Sequence, residues 1–163
     1  MFDAGPIIKL FELGIWDEFI EKCDVTVSQI VANQANRASL EFEDIRIDIK
    51  PYEEQGLIKI IDVEPSAVEA FYKKFSLLHR YDIHDGEKET LVFLQNSPGP
   101  WQICAADKAV FKVLGFLGKV YQGISLEELL KKIGLWKDNL EWEYTRKFRE
   151  KYTRMGQIDS IQD

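Results

Sequence analysis

Three acidic residues of this 163-residue chain stand in similar local settings: Asp3 in Phe2-Asp3-Ala4-Gly5-Pro6, Glu87 in His84-Asp85-Gly86-Glu87-Lys88-Glu89, and Asp107 in Ile103-Cys104-Ala105-Ala106-Asp107-Lys108. Each follows an apolar strand or a turn and is followed at once by helix-forming residues. That places each acid at the end of an element, where α/β proteins build their sites. If the strands before Asp3 and Asp107 are parallel neighbours, both aspartates emerge at one sheet edge, and Glu87 needs only to begin a helix docked beside them. Three carboxylates in close approach repel one another, and a bound cation relieves the repulsion. Hard cations such as Mg²⁺ take a few carboxylates together with water and substrate oxygens. Such ions activate water and neutralise the charge that develops on phosphate oxygens, so the set points to metal-dependent phosphodiester hydrolysis.

Taken singly, each acid also has a structural reading. An Asp after a strand caps a helix, a Gly-Glu pair at a helix start is favoured by the macrodipole, and an Asp-Lys pair is often solvated. Their joint order along the chain favours a shared site. His79 and His84 offer acid–base or phosphate contacts, although a single His beside a turn is more often incidental. A phosphatase with an aspartate nucleophile is set aside because the Asp-x-Asp it requires is absent: position 5 is Gly.

The elements that must carry these residues alternate. Short β-rich runs are separated by helical patterns, which predicts an α/β domain with a central, mainly parallel sheet covered by helices. After the very short Met1-Phe2 stub, Pro6 opens an apolar helix ending near Gly14, and Trp16, Phe19, Ile20 and Cys23 mark a second. Val25-Thr26-Val27 reads as a strand, with Ser28 capping a helix that carries Ile30, Val31 and Ala35. Residues 39 to 56, with six acids, Pro51 and Gly56, read as a weakly structured connection. Leu57 to Val63 reads as a strand, Pro65 opens a helix, and the turn His84-Asp85-Gly86 leads into another from Glu87 to about Gln95. Gln102 to Ala106 then reads as a strand, Lys108 to Leu117 as a helix, Val120-Tyr121 as a short final strand, and Ser125 with Glu128 as a capping box. From about residue 140 a basic helix places Leu140, Tyr144, Phe148, Tyr152 and Met155 on one stripe.

One domain over residues 1–163 accounts for the length, and 45% hydrophobic with 12% aromatic residues suffices for a substantial core. The four tryptophans, Trp16, Trp101, Trp136 and Trp142, are expected in packing roles. Cys23 and Cys104 have no zinc spacing and read as buried, reduced thiols. No stretch approaches the roughly 18 apolar residues of a membrane span and no signal peptide is evident, so a cytoplasmic protein is expected. The net charge of −7 argues against a nucleic-acid footprint over the whole surface. A local one remains on the last helix, where Arg146, Lys147, Arg149, Lys151 and Arg154 meet the single acid Glu150, though a solvated helix face explains the same pattern.

On these motifs the chain resembles the PIN-domain proteins, specifically the small stand-alone prokaryotic kind. Asp3-Ala4-Gly5-Pro6-Ile7-Ile8 resembles the family's opening motif, and Glu87 after His84-Asp85-Gly86 its middle acid, with Asp85 as a neighbour. Ala106-Asp107-Lys108 resembles its late strand end, and Gly123-Ile124-Ser125-Leu126 its closing segment. The match extends to about Leu135, short of the basic helix. The resemblance implies a three-layer α/β/α sandwich whose acidic cup binds Mg²⁺ or Mn²⁺ and cleaves RNA, in many members as the toxin of a toxin–antitoxin pair, and dimers are common among them. An antitoxin would occupy an apolar groove or place a basic side chain in the cup. Two departures stand out. Where the family carries a further acid on the helix after the second strand, this chain has Gln34, which offers a carbonyl oxygen but no charge and lowers the expected metal affinity. Glu41, Glu43 or Asp44 could replace that acid only if their loop folds back. Met1-Phe2 is also short for a central strand of about five residues, which either reflects a start further upstream or leaves Asp3 loosely held. Gln34 makes a non-catalytic, partner-binding or RNA-binding protein the rival expectation.

Overall fold

The computed structural model describes residues 1–41 and 47–161 and is mixed α/β, mostly helical, with short parallel strands. In chain order α1 (Ala4–Glu12) and α2 (Trp16–Ile20) precede β1 (Val25–Ser28), α3 (Gln29–Glu41), α4 (Lys50–Glu54) and β2 (Ile58–Ile61). They are followed by α5 (Pro65–Lys74), α6 (Asp85–Asn96), β3 (Ile103–Cys104), α7 (Lys108–Phe116), β4 (Gly123–Ile124), α8 (Leu126–Ile133) and α9 (Arg146–Ile161).

β1 and β2 pair in parallel with Val25 opposite Ile58 and Ser28 opposite Ile61, and β3 pairs with β4 in the same sense. The Met1-Phe2 stub lies between the two pairs. The Phe2 N–H donates to the Thr26 carbonyl at 3.0 Å, while the Cys104 N–H donates to Met1 and the Asp3 N–H to Cys104, each at 3.0 Å. A single bridge, Phe2 to Cys104, is all the strand that two residues can form, yet it ties the backbone on both sides. Asp3 is thereby anchored by its own N–H, and is not loosely held. Side chains alternate as a pleat requires. Phe2 and Cys104 enter one core with Ile7, Leu10, Phe19, Val27 and Leu130, whereas Met1, Ile103 and Ala105 enter the other with Leu91, Val110, Phe111 and Leu114.

Three sequence expectations give way to tertiary geometry. Val120-Tyr121 is part of a 3₁₀ turn, Val120–Gln122, and the strand is the next pair, Gly123–Ile124. A Cβ on Gly123 would stand 3.0 Å from Leu114 Cδ1, so the strand falls where a glycine lets it approach α7. The strand expected over Gln102 to Ala106 pairs only at Ile103–Cys104. The last helix starts at Arg146 and not near residue 140, because Trp142–Tyr144 is a 3₁₀ turn and the Thr145 hydroxyl accepts from the Phe148 N–H. Its buried stripe is Phe148, Thr153 and Gly156, with Met155 exposed. This stripe follows from a direct crossing with α7: a Cβ at Gly115 would overlap the Thr153 carbonyl, and one at Gly156 the Lys112 carbonyl. The expected weak connection contains the end of α3 and α4, and its residues 42–46 lie outside the description. Trp16 is buried and Trp101 half-buried, but Trp136 and Trp142 are exposed. Cys104 is buried and Cys23 half-buried, both as free thiols. Among the described residues no helix is long and apolar enough to cross a membrane.

Candidate functional site

Asp3, Glu87 and Asp107 line one open cleft of about 350 Å³, together with Ala4, Gly5, Gln34, His84, Ala106, Glu143 and Tyr144. The capping chemistry that explains each aspartate locally also aims it. Asp3 is the N-cap of α1 and its Oδ1 accepts from the Ala4 N–H at 2.8 Å; Asp107 is the N-cap of α7 and its Oδ1 accepts from the Ala109 N–H at 2.5 Å. The structural and chemical readings of these residues coincide. A cap uses one carboxylate oxygen and leaves the other for the cleft.

Glu87 arrives from the first turn of α6. Its Oε2 accepts from the His84 backbone N–H at 2.9 Å, and the side chain is only 4% exposed. Gly86 sets this position. A Cβ there would meet Val31 Cγ2 at 2.9 Å and Gln34 Oε1 at 3.1 Å, so glycine lets the start of α6 lie this close to α3 without displacing those side chains. The same approach delivers Gln34, half-buried, to the cleft wall.

Electrostatics distinguish these carboxyls. Burial, then the negative charges of Asp3 and Asp107, push Glu87 up to about 8. Burial raises Asp3 to about 6, opposed by its bond to the Ala4 N–H and reinforced by Asp107. The site thus concentrates negative charge in a poorly solvated place, the condition a cation relieves. His84, Glu87 and Asp107 also bring one potential ligand atom each within 4.8 Å of one another. That set of nitrogen and carboxylate donors can hold a metal ion. A single His beside a turn is more often incidental, and the sequence signal that ties His84 to the acids is its place directly before the Asp85-Gly86-Glu87 turn.

No protein-family model, curated protein or solved structure matches this chain. The residues themselves therefore carry the functional reading. Asp85 stays outside the cleft, 74% exposed and 2.7 Å from Lys88 Nζ. Glu43 and Asp44 lie outside the described residues, as does the side chain of Glu41. Glu143 and Tyr144 were missed as site residues because the stretch before Thr145 reads as the start of a helix. The turn at Trp142–Tyr144 instead sets them against the cleft. Tyr144 Oη donates to the Gly5 carbonyl at 3.4 Å, and Lys9, 2.7 Å from Glu141 and 5.5 Å from the Tyr144 ring, fastens the turn to α1.

The basic residues of α9 divide into two groups. Arg149 Nε and Nη2 donate to the two carboxylate oxygens of Glu128 at 2.7 and 2.8 Å, and Arg146 Nε donates to Glu150 at 2.6 Å. These arginines fasten α9 to α8 and to itself. Lys147, Lys151 and Arg154 remain exposed.

Proposed function

We propose that this chain is a metal-dependent ribonuclease of the PIN type, a three-layer α/β/α domain that hydrolyses RNA phosphodiester bonds. The observation that carries this reading is the convergence of Asp3, Glu87 and Asp107 from three distant sequence motifs into one cleft. The layered fold is supported by the Met1-Phe2 stub, bonded to β1 on one side and β3 on the other, with apolar cores on both faces. In this reading the two strand pairs and the stub between them count as one parallel sheet in the order β2-β1-stub-β3-β4.

The donor set suits a hard divalent cation. Glu87 is a nearly buried carboxyl beside two further acids, and such a group reaches its charged form readily only with a cation nearby. Asp3, Glu87 and Asp107 would hold Mg²⁺ or Mn²⁺, which supplies charge neutralisation at the phosphate and activation of the attacking water. The backbone N–H groups of Ala4, His84 and Ala109 fix the three carboxylates, so little reorganisation is needed when substrate arrives. Tyr144 and Gly5 form a wall of the cleft. An acidic cup of this kind also suits inhibition by a basic side chain of a protein partner, as in a toxin–antitoxin pair.

Labelled single-stranded RNA incubated with Mn²⁺, Mg²⁺ or EDTA, beside Asp107→Asn, tests the reading. Asn keeps the helix cap while removing the charge. Metal-dependent cleavage by the wild type that Asp107→Asn abolishes is the expected result. Absence of cleavage with every metal would favour a non-catalytic PIN-like binding protein. The neutral Gln34 in the cleft wall is the observation on that side.

A further inference from the structure

Among the carboxylates of the cleft stands a residue of different chemistry. His84 precedes α6, its side chain is 65% exposed, and its Nδ1 lies 3.9 Å from Glu87 Oε1. That distance is too long for a hydrogen bond, and among the described residues Glu87 Oε1 has no other polar partner. Glu87 is thus a nine-tenths buried carboxyl in the cleft with one oxygen unbonded. Asp107 completes the group, with all three potential ligand atoms within 4.8 Å of one another. Two donors each about 2.1 Å from one ion stand no more than about 4.2 Å apart. Three donors spread evenly about one ion stand about 3.6 Å apart, so the three groups have to draw together by on the order of an ångström, a movement that the exposed imidazole makes at little cost.

We propose that His84 is a metal ligand, and that with Glu87 and Asp107 it makes a mixed nitrogen–oxygen site selective for a first-row transition-metal dication over Mg²⁺. The inference rests on the nuclease reading for the use of the ion, and it deepens that reading by naming the kind of ion. Imidazole suits the later metals of the first row best and Mn²⁺ least among them, whereas Mg²⁺ takes oxygen and gives up water reluctantly. A purely carboxylate cup has no such preference to offer. The α6 cap draws on the His84 backbone N–H, which donates to Glu87 Oε2 at 2.9 Å and leaves Glu87 Oε1 for the cleft.

Mn²⁺ and Mg²⁺ binding to the full chain, measured by calorimetry for wild type, His84→Ala and Asp107→Asn, tests the assignment. Electron spin-echo modulation of the Mn²⁺ complex shows directly whether a nitrogen is coordinated. We expect wild type to bind Mn²⁺ at least about tenfold more tightly than Mg²⁺, with nitrogen modulation present. His84→Ala should lose the modulation and at least about tenfold of its Mn²⁺ affinity, since even outer partners of a ligand contribute that much, while Mg²⁺ affinity stays nearly constant. Circular dichroism should show His84→Ala folded, as befits an exposed side chain. Mn²⁺ bound without nitrogen modulation, or bound equally well by His84→Ala, would overturn the role of His84 and leave the carboxylate site standing. Failure of both cations to bind wild type would overturn the metal-dependent reading as well.

Discussion

Glu87 loses water and gains two acidic neighbours in the same fold, and both effects favour its proton. Its folded value of about 8 stands against an ordinary 4.5, and that of Asp3 near 6 against 3.8. Between the ordinary and the folded value the folded chain holds a proton that the unfolded chain has released. The contribution of Glu87 to stability is therefore fully present below about pH 4.5 and is lost as pH rises through about 8. Scanning calorimetry in EDTA is expected to show unfolding temperatures that fall across this window. Glu87→Gln should flatten the fall because its amide does not titrate. Parallel profiles for the two proteins would mean that Glu87 is solvated as an ordinary carboxylate. Saturating divalent cation should reverse the slope, since the ion binds the deprotonated site.

At the scale of elements, three glycines allow approaches that a side chain would obstruct. Gly86 lets the first turn of α6 lie on α3, and the Gly115–Gly156 crossing lets α9 lie on α7 backbone to backbone. The consequences of filling these positions differ. Gly86→Ala meets the ends of Val31 and Gln34, which can give slightly, so a loss of about 1–3 kcal/mol in chemical denaturation is expected. Cation affinity should fall too, because Glu87 is displaced along with the turn. Gly156→Ala meets a carbonyl that cannot move without its helix, and α9 should become accessible to limited proteolysis. Local rules made much of this architecture readable in the sequence. The Ser125–Glu128 box, the apolar run before Asp107 and the turn at Gly86 each depend on near neighbours. What escaped depends on residues far apart in the chain. The strand at Gly123 is placed by Leu114, the turn at Trp142–Tyr144 is fastened by Lys9, and the tie between Arg149 and Glu128 joins helices whose charges give no hint of pairing. The three acids were legible because each is also a cap or a first-turn residue. Glu143 and Tyr144 have no such local grammar.

For the whole molecule, the RNA substrate proposed above has to be reconciled with a net charge of −7. A net negative surface would repel RNA, so on the proposed reading productive approach depends on the cations that face solvent. On α9 these are Lys147, Lys151 and Arg154, since Arg146 and Arg149 already satisfy carboxylates of the chain itself. Each lysine that neutralises one phosphate of a single strand adds about 0.7 to the salt dependence of log K. Binding of labelled RNA to the Asp107→Asn background, titrated across salt concentrations, should therefore lose about 1.4 of that slope when Lys147 and Lys151 are both replaced by Ala. Arg149→Gln should behave in the opposite manner. It removes the two bonds from Arg149 to Glu128 and loosens the α8–α9 contact, which lowers the denaturation midpoint while the salt slope stays near that of the parent. An unchanged slope in the double lysine variant would assign α9 to the fold alone and move the search for the RNA path to the opposite rim of the cleft.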